Sequence, residues 1–133
     1  MQQEQKYFTP TLNDLRAGLA FEIQGDYQGK STWLKCKIGE KHSLERFERG
    51  MNDCIIRCKH LDEQDLEYLG FERIRNIFSD VIEFRNNDTK IHFSMYNTCV
   101  IWKLDYVSSW IHVFQGIIKT KAHLKEILDM VKM

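Results

Sequence analysis

The sequence predicts an α+β fold: an antiparallel β-sheet of about five to six strands, largely a meander, with short helices and a C-terminal amphipathic helix packed against it. Three observations predict this. Strand-like stretches at 81–84, 90–96, 99–104 and 110–118 follow one another, with the turn residues Asn86-Asn87-Asp88 and Asn97-Thr98 between them. The stretch 61–70 carries the start and stop signals of a short helix. Leu124, Ile127, Leu128 and Val131 recur at helical spacing near the C-terminus. The order helix, hairpin, helix, meander, helix places helices against one face or the ends of the sheet.

Residues 1–6 are expected to fray. Thr9-Pro10 then forms a cap followed by proline at the first helical position, with Thr11-x-x-Asp14 as an alternative cap one step later. Leu12 and Leu15 give this short helix an apolar side, and Gly18 ends it. Leu19, Phe21 and Ile23 alternate with Ala20 and Glu22 as a strand over 19–24. Leu34, Cys36 and Ile38 alternate with Trp33, Lys35 and Lys37 as its hairpin partner, with a basic outer face. Ser43 caps a helix through Arg49, with Leu44 and Phe47 inward and Gly50 as its stop. Strand character returns over 54–60.

The helix over 62–69 has Asp62 as N-cap and acidic residues in its first turn. Gly70 is its stop, and Leu61 and Leu66 sit at staple positions. Ile91, Phe93 and Met95 share one face of the following sheet, opposed to His92, Ser94 and Tyr96. Thr120 caps the final helix, whose polar face carries Lys121, Lys125, Glu126 and Lys132.

With 133 residues the chain fits a single domain, 1–133. Sixteen aromatics and a single proline exclude a solvated, disordered chain. Nineteen basic residues balance nineteen acidic ones. That balance argues against a dedicated nucleic-acid partner and against electrostatic attachment to a membrane, while zero net charge favours a homo-oligomer. The polar start, lacking an apolar core, predicts no signal peptide, and no apolar run approaches a bilayer span. Cytoplasmic location follows as the expectation. Cys36, Cys54, Cys58 and Cys99 form no CxxC pair and are expected as reduced core thiols.

Candidate chemistry is thin for catalysis. Gly25-x-x-x-Gly29-Lys30-Ser31 approaches a phosphate-binding loop, but that loop needs four residues between its glycines and a helix directly after it. A hairpin loop is the better reading. Cys54 and Cys58 are about 13 Å apart along a strand, and the histidines show no paired spacing, so no metal is predicted. No nucleophile elbow is present, and Glu22 and Glu83 are an unanchored carboxylate pair. No catalytic residue and no cofactor are assigned.

Binding chemistry is better supplied. Arg57 and Lys59 share one strand face, Lys35 and Lys37 another, and Arg73 and Arg75 follow the Gly70 stop. Tyr7, Trp33, Tyr96, Trp102 and Trp110 are amphipathic aromatics able to stack. Arginine beside aromatics suits a phosphorylated nucleotide or a protein partner. The competing reading is a solvated sheet face with tryptophans completing a core. Tyr7, Trp33, Arg57, Lys59, Arg73, Arg75 and Trp110 are the candidate ligand-binding residues.

Three stretches together resemble a known group. They are Tyr7-Phe8-Thr9-Pro10-Thr11 leading into Gly18-Leu19-Ala20-Phe21-Glu22, then Leu61-Asp62-x-x-Asp65-Leu66-x-x-Leu69-Gly70-Phe71, then Phe114-Gln115-Gly116-x-Ile118-Lys119 before the Leu124/Leu128 helix. The combination resembles small uncharacterised proteins encoded by tailed phages and mobile elements of Bacteroidetes; residues 25–55 carry no part of it. The resemblance implies a setting without supplying a mechanism. Within it, the leading expectation is a non-catalytic accessory protein, such as a counter-defence protein that sequesters a nucleotide-derived signal or binds a host protein. A virion or assembly component acting through protein–protein contacts is the alternative. A small phosphodiesterase-like enzyme is the third.

Overall fold

A computed structural model describes residues 6–27, 30–53, 55–94 and 97–131. The fold is α+β with antiparallel strands and a meander, as the sequence predicts, but the strands form two sheets instead of one. The chain divides into two compact units, Met1–His60 and Leu61–Met133.

The first unit contains β1 (Tyr7–Phe8), a single 3₁₀ turn (Leu12–Asp14), β2 (Ala20–Tyr27), β3 (Lys30–Lys37), α1 (Ser43–Asn52) and β4 (Ile56–Lys59). Its sheet runs in the order β1-β4-β2-β3. Thr11 begins the 3₁₀ turn, and its N–H donates to the Asp14 carboxylate at 2.9 Å. The alternative cap is therefore the one used. Leu12 is 69% exposed, so the apolar side expected for this turn is not formed. Gly18 is not its stop: the turn already ends at Asp14, with Leu15 extended after it, and Gly18 (φ +79°) instead makes a left-handed turn leading into β2.

The β2–β3 hairpin is longer than the alternation suggests. Gly25 to Tyr27 and Lys30 onward are strand, and the residues at its tip, 28–29, lie outside the described ones. A strand follows where a phosphate-binding loop would need a helix.

α1 covers the inner face of this sheet. Phe47 meets Phe21 edge to face at 5.3 Å, and both are buried with Leu19, Ile23, Cys36, Ile56 and Cys58. Two details correct the expectation. Leu44 is 59% exposed instead of inward. Gly50 is not a stop but a buried residue inside α1, where an added Cβ would stand 3.0 Å from both Ile23 and Ile56. The missing side chain lets helix and sheet approach closely. Ser43 lies inside the helix, and its Oγ accepts from the Gly39 N–H at 3.1 Å.

The second unit contains α2 (Glu63–Tyr68), β5 (Glu72–Phe78), β6 (Val81–Arg85), β7 (Thr89–Ser94), β8 (Thr98–Leu104), β9 (Trp110–Ile117) and α3 (Lys121–Met130). The five strands are a meander in sequence order. Asp62 caps α2 by accepting from the Asp65 N–H at 3.0 Å, and Asp65 accepts in return from the Asp62 N–H. Thr120 Oγ1 accepts from the His123 N–H at the start of α3.

Leu61 and Leu66 from the α2 segment and Leu124 and Ile127 from α3 pack with Phe84, Ile91, Phe93, Cys99 and Ile101 in one core. Both helices therefore cover the same face of the sheet. Asn97 makes the β7–β8 connection at φ +61°, and its buried Nδ2 donates to the Leu61 carbonyl at 3.1 Å. Met95 and Tyr96 lie outside the described residues, as does Cys54.

Cys36, Cys58 and Cys99 are free and buried. Burial pushes the Cys58 thiol up to about 12, with the nearby Asp14 adding to the effect. Burial alone does the same at Cys99. No helix among the described residues is long and apolar enough to cross a membrane.

Candidate functional site

The seven candidate residues fall on two sheets. Tyr7, Trp33, Arg57 and Lys59 share the outer face of the first unit's sheet, opposite α1. The register explains this: Tyr7 pairs with Lys59, Arg57 with Glu22, and Trp33 with Gln24, and residues two apart on a strand face the same way.

Arg57 organises this face. Its Nε lies 2.6 Å from Glu22 Oε1, and its guanidinium centre stands 3.8 Å from the Tyr7 ring centroid and 4.0 Å from that of Trp33. One planar cation is thus held between two rings and tied at its edge to a carboxylate. Three of the predicted residues meet here, but the flat surfaces of the guanidinium are already occupied from within. The arrangement is a staple across β1, β4, β2 and β3.

The outer face of the second sheet is different. Arg75 pairs with Glu83, Glu83 with His92, and His92 with Val100, forming one row. Glu72, Arg85, Lys90, Trp102 and His112 form the next. Trp110, opposite Leu104, completes the patch.

Glu83 is 1% exposed although it lies on the face away from the core. Its neighbours cover it. Oε2 is 2.6 Å from Arg85 Nε, while Oε1 is 3.1 Å from His92 Nε2 and 3.5 Å from Arg75 Nη2. Burial by itself would raise this carboxyl, but the His92 hydrogen bond and the two arginines outweigh it and hold the group below its ordinary range.

Around this centre the aromatics are arrayed with cations. Trp102 meets His92 edge-on at 4.5 Å and tilts toward His112 at 5.9 Å. Lys90 Nζ stands 4.7 Å from the Trp102 ring centroid and 4.9 Å from that of Trp110, with the Arg85 guanidinium 5.5 Å from Trp110. Both tryptophans are only partly buried.

Comparison with protein-family models, with curated proteins and with solved structures returns no match.

Of the second-unit candidates, Arg75 and Trp110 share this face and Arg73 does not. Arg73 pairs with Phe84, a core residue, and an irregularity in the register before Arg75 turns the two arginines to opposite sides. Arg73 donates to Asn76 Oδ1 at 2.7 Å and lies 3.8 Å from Glu63. Sequence reasoning offers Trp102 as an aromatic able to stack without placing it among the candidate site residues, and it does not assign Arg85, Lys90, Glu83 or His92 to binding. Part of it could have been found, because Lys90 and His92 alternate against buried Ile91 and Phe93. Among the described residues no group of three or more His, Cys, Asp or Glu could hold a metal ion.

Proposed function

We propose that this protein is a non-catalytic binding protein for a nucleotide-type ligand, and that the ligand lies on the outer face of the five-stranded sheet. The observation that carries this reading is Lys90 between Trp102 and Trp110, with Arg85 alongside. Indole faces accept a base by stacking, and cations beside them accept phosphate. Arg75, Arg85 and Lys90 outnumber Glu83 and Glu72 on this face, so it favours an anion.

Binding without turnover is supported by the state of Glu83. A general base works best with a pKa near the operating pH, and Glu83 is held in the other direction and committed to three partners. In the setting that the resemblance implies, such a face would sequester a nucleotide-derived signal.

The test is a thermal-shift panel of linear and cyclic nucleotides on the wild type and on Trp110→Ala. A ligand at about a hundredfold excess over its Kd adds about 2.7 kcal/mol of stability, which moves Tm by several degrees. A selective shift that Trp110→Ala abolishes is expected. A flat panel, or a shift that survives the substitution, overturns the assignment.

A further inference from the structure

One ammonium serves two rings on the outer face of the second sheet. Lys90 lies directly opposite Trp102 in the β7–β8 register. Trp102 lies opposite His112 and Leu104 opposite Trp110. The two indoles are therefore diagonal neighbours across β8 and β9, a backbone spacing of about 7–8 Å. Lys90 Nζ is nearly equidistant from them, at 4.7 and 4.9 Å.

Successive bases of a single strand stack on successive aromatic side chains, and the phosphodiester joining them is met by a cation. We infer, resting on the ligand face proposed above, that the ligand is a dinucleotide: one base on each of Trp102 and Trp110, with the linking phosphodiester at Lys90. In the free protein the Lys90 ammonium covers the ring faces. The diester draws it off them, because attraction to a full negative charge exceeds attraction to a ring quadrupole.

Arg85 stands beside Trp110 for a further phosphate. Its Nε forms an ion pair with Glu83 at 2.6 Å, and its charge is only partly offset, since His92 and Arg75 share the same carboxylate. The size of the ligand is set by the same groups. Lys90, Arg85 and Arg75 suffice for one or two phosphates, and a chain of zero net charge offers a long polyanion little attraction.

Isothermal titration of the full chain with 5′-AMP, linear ApA, cyclic di-AMP and an eight-nucleotide oligo(A) tests this. ApA or cyclic di-AMP is expected to bind at least about tenfold tighter than AMP, since the second base adds its own stacking contact. Lys90→Gln erases that preference, Trp110→Ala removes it, and Trp110→Phe, which keeps a ring, retains it. Preference for the cyclic over the linear dinucleotide marks a signalling molecule as the source; the reverse marks the end of a strand. Equal affinity for AMP and the dinucleotides overturns the inference and leaves the ligand face standing. Affinity that keeps rising to the octamer, with a steepening salt dependence, assigns the face to a single-stranded polymer and also overturns it. Absence of binding by all four probes overturns both the inference and the face.

Discussion

Glu83 Oε2 and Arg85 Nε lie 2.6 Å apart on the sheet face opposite the one that α2 and α3 cover, yet the carboxylate is 1% exposed. The cations that neutralise it also shield it from water. Removing its charge leaves two arginines and a histidine facing a neutral group. Glu83→Gln is expected to cost about 2 kcal/mol, less than the roughly 3–5 kcal/mol of a fully buried broken pair, because the released arginines can reach solvent. Urea denaturation with the slope held constant measures it.

The same carboxyl makes a pH signature. Its pKa is lowered on folding, so its contribution is complete above the ordinary glutamate value of about 4.3 and is lost as pH falls through the lower folded-state value. The wild type should therefore lose stability on acidification below that point more steeply than Glu83→Gln does. Parallel curves for the two proteins would contradict it.

Arg57→Lys keeps a positive charge but not a plane that two rings can sandwich. A loss of about 1–2 kcal/mol is expected, from two partly exposed ring contacts and the carboxylate hydrogen bond. Hydrogen exchange at His60, whose N–H donates to the Lys6 carbonyl, should rise as β1 loosens. Unchanged exchange at His60 would show that β1 is held by other contacts.

Gly50→Ala sets two effects against each other. Alanine favours the helix by about 1 kcal/mol over glycine. Its Cβ, however, would stand 3.0 Å from Ile23 and Ile56, one contact on each of two strands, and relieving it requires moving α1 off the sheet. Overpacking of this kind costs about 1–3 kcal/mol, so the net change is expected to be destabilising. Thermal denaturation decides the sign.

Asn97 combines a left-handed backbone with a buried donor to the Leu61 carbonyl. Asn97→Gly relieves the backbone and loses the hydrogen bond, whereas Asn97→Ala loses both. Each should destabilise, with alanine worse by about 1 kcal/mol. Equal melting temperatures for the two variants would assign the whole effect to the side-chain amide.

The parts of the fold written in local chemistry were legible. Asp62 with Asp65, Gly70, Thr120 and the Asn86–Asp88 turn each act on residues a few positions away, and each does so in the structure. β5 was not legible. Its irregularities between Arg73 and Arg75 and between Asn76 and Phe78 break the two-residue period by which a strand is read. The division into two sheets was hidden for another reason: which strand pairs with which is set by contacts far apart in sequence. The aromatic–cationic patch depends on the same long-range register. Trp102 meets Lys90 and His112 only because β7, β8 and β9 align as they do, and no short motif records that alignment.

Cys58 and Cys99 lie in different units, each fully buried with a thiol pushed up to about 12. A thiol so protonated and enclosed does not react with an alkylating reagent until the segment around it opens. The chain thus carries a built-in clock in each half. Brief alkylation followed by peptide mass spectrometry reads both clocks in one sample, and it reports whether the halves open together or one before the other.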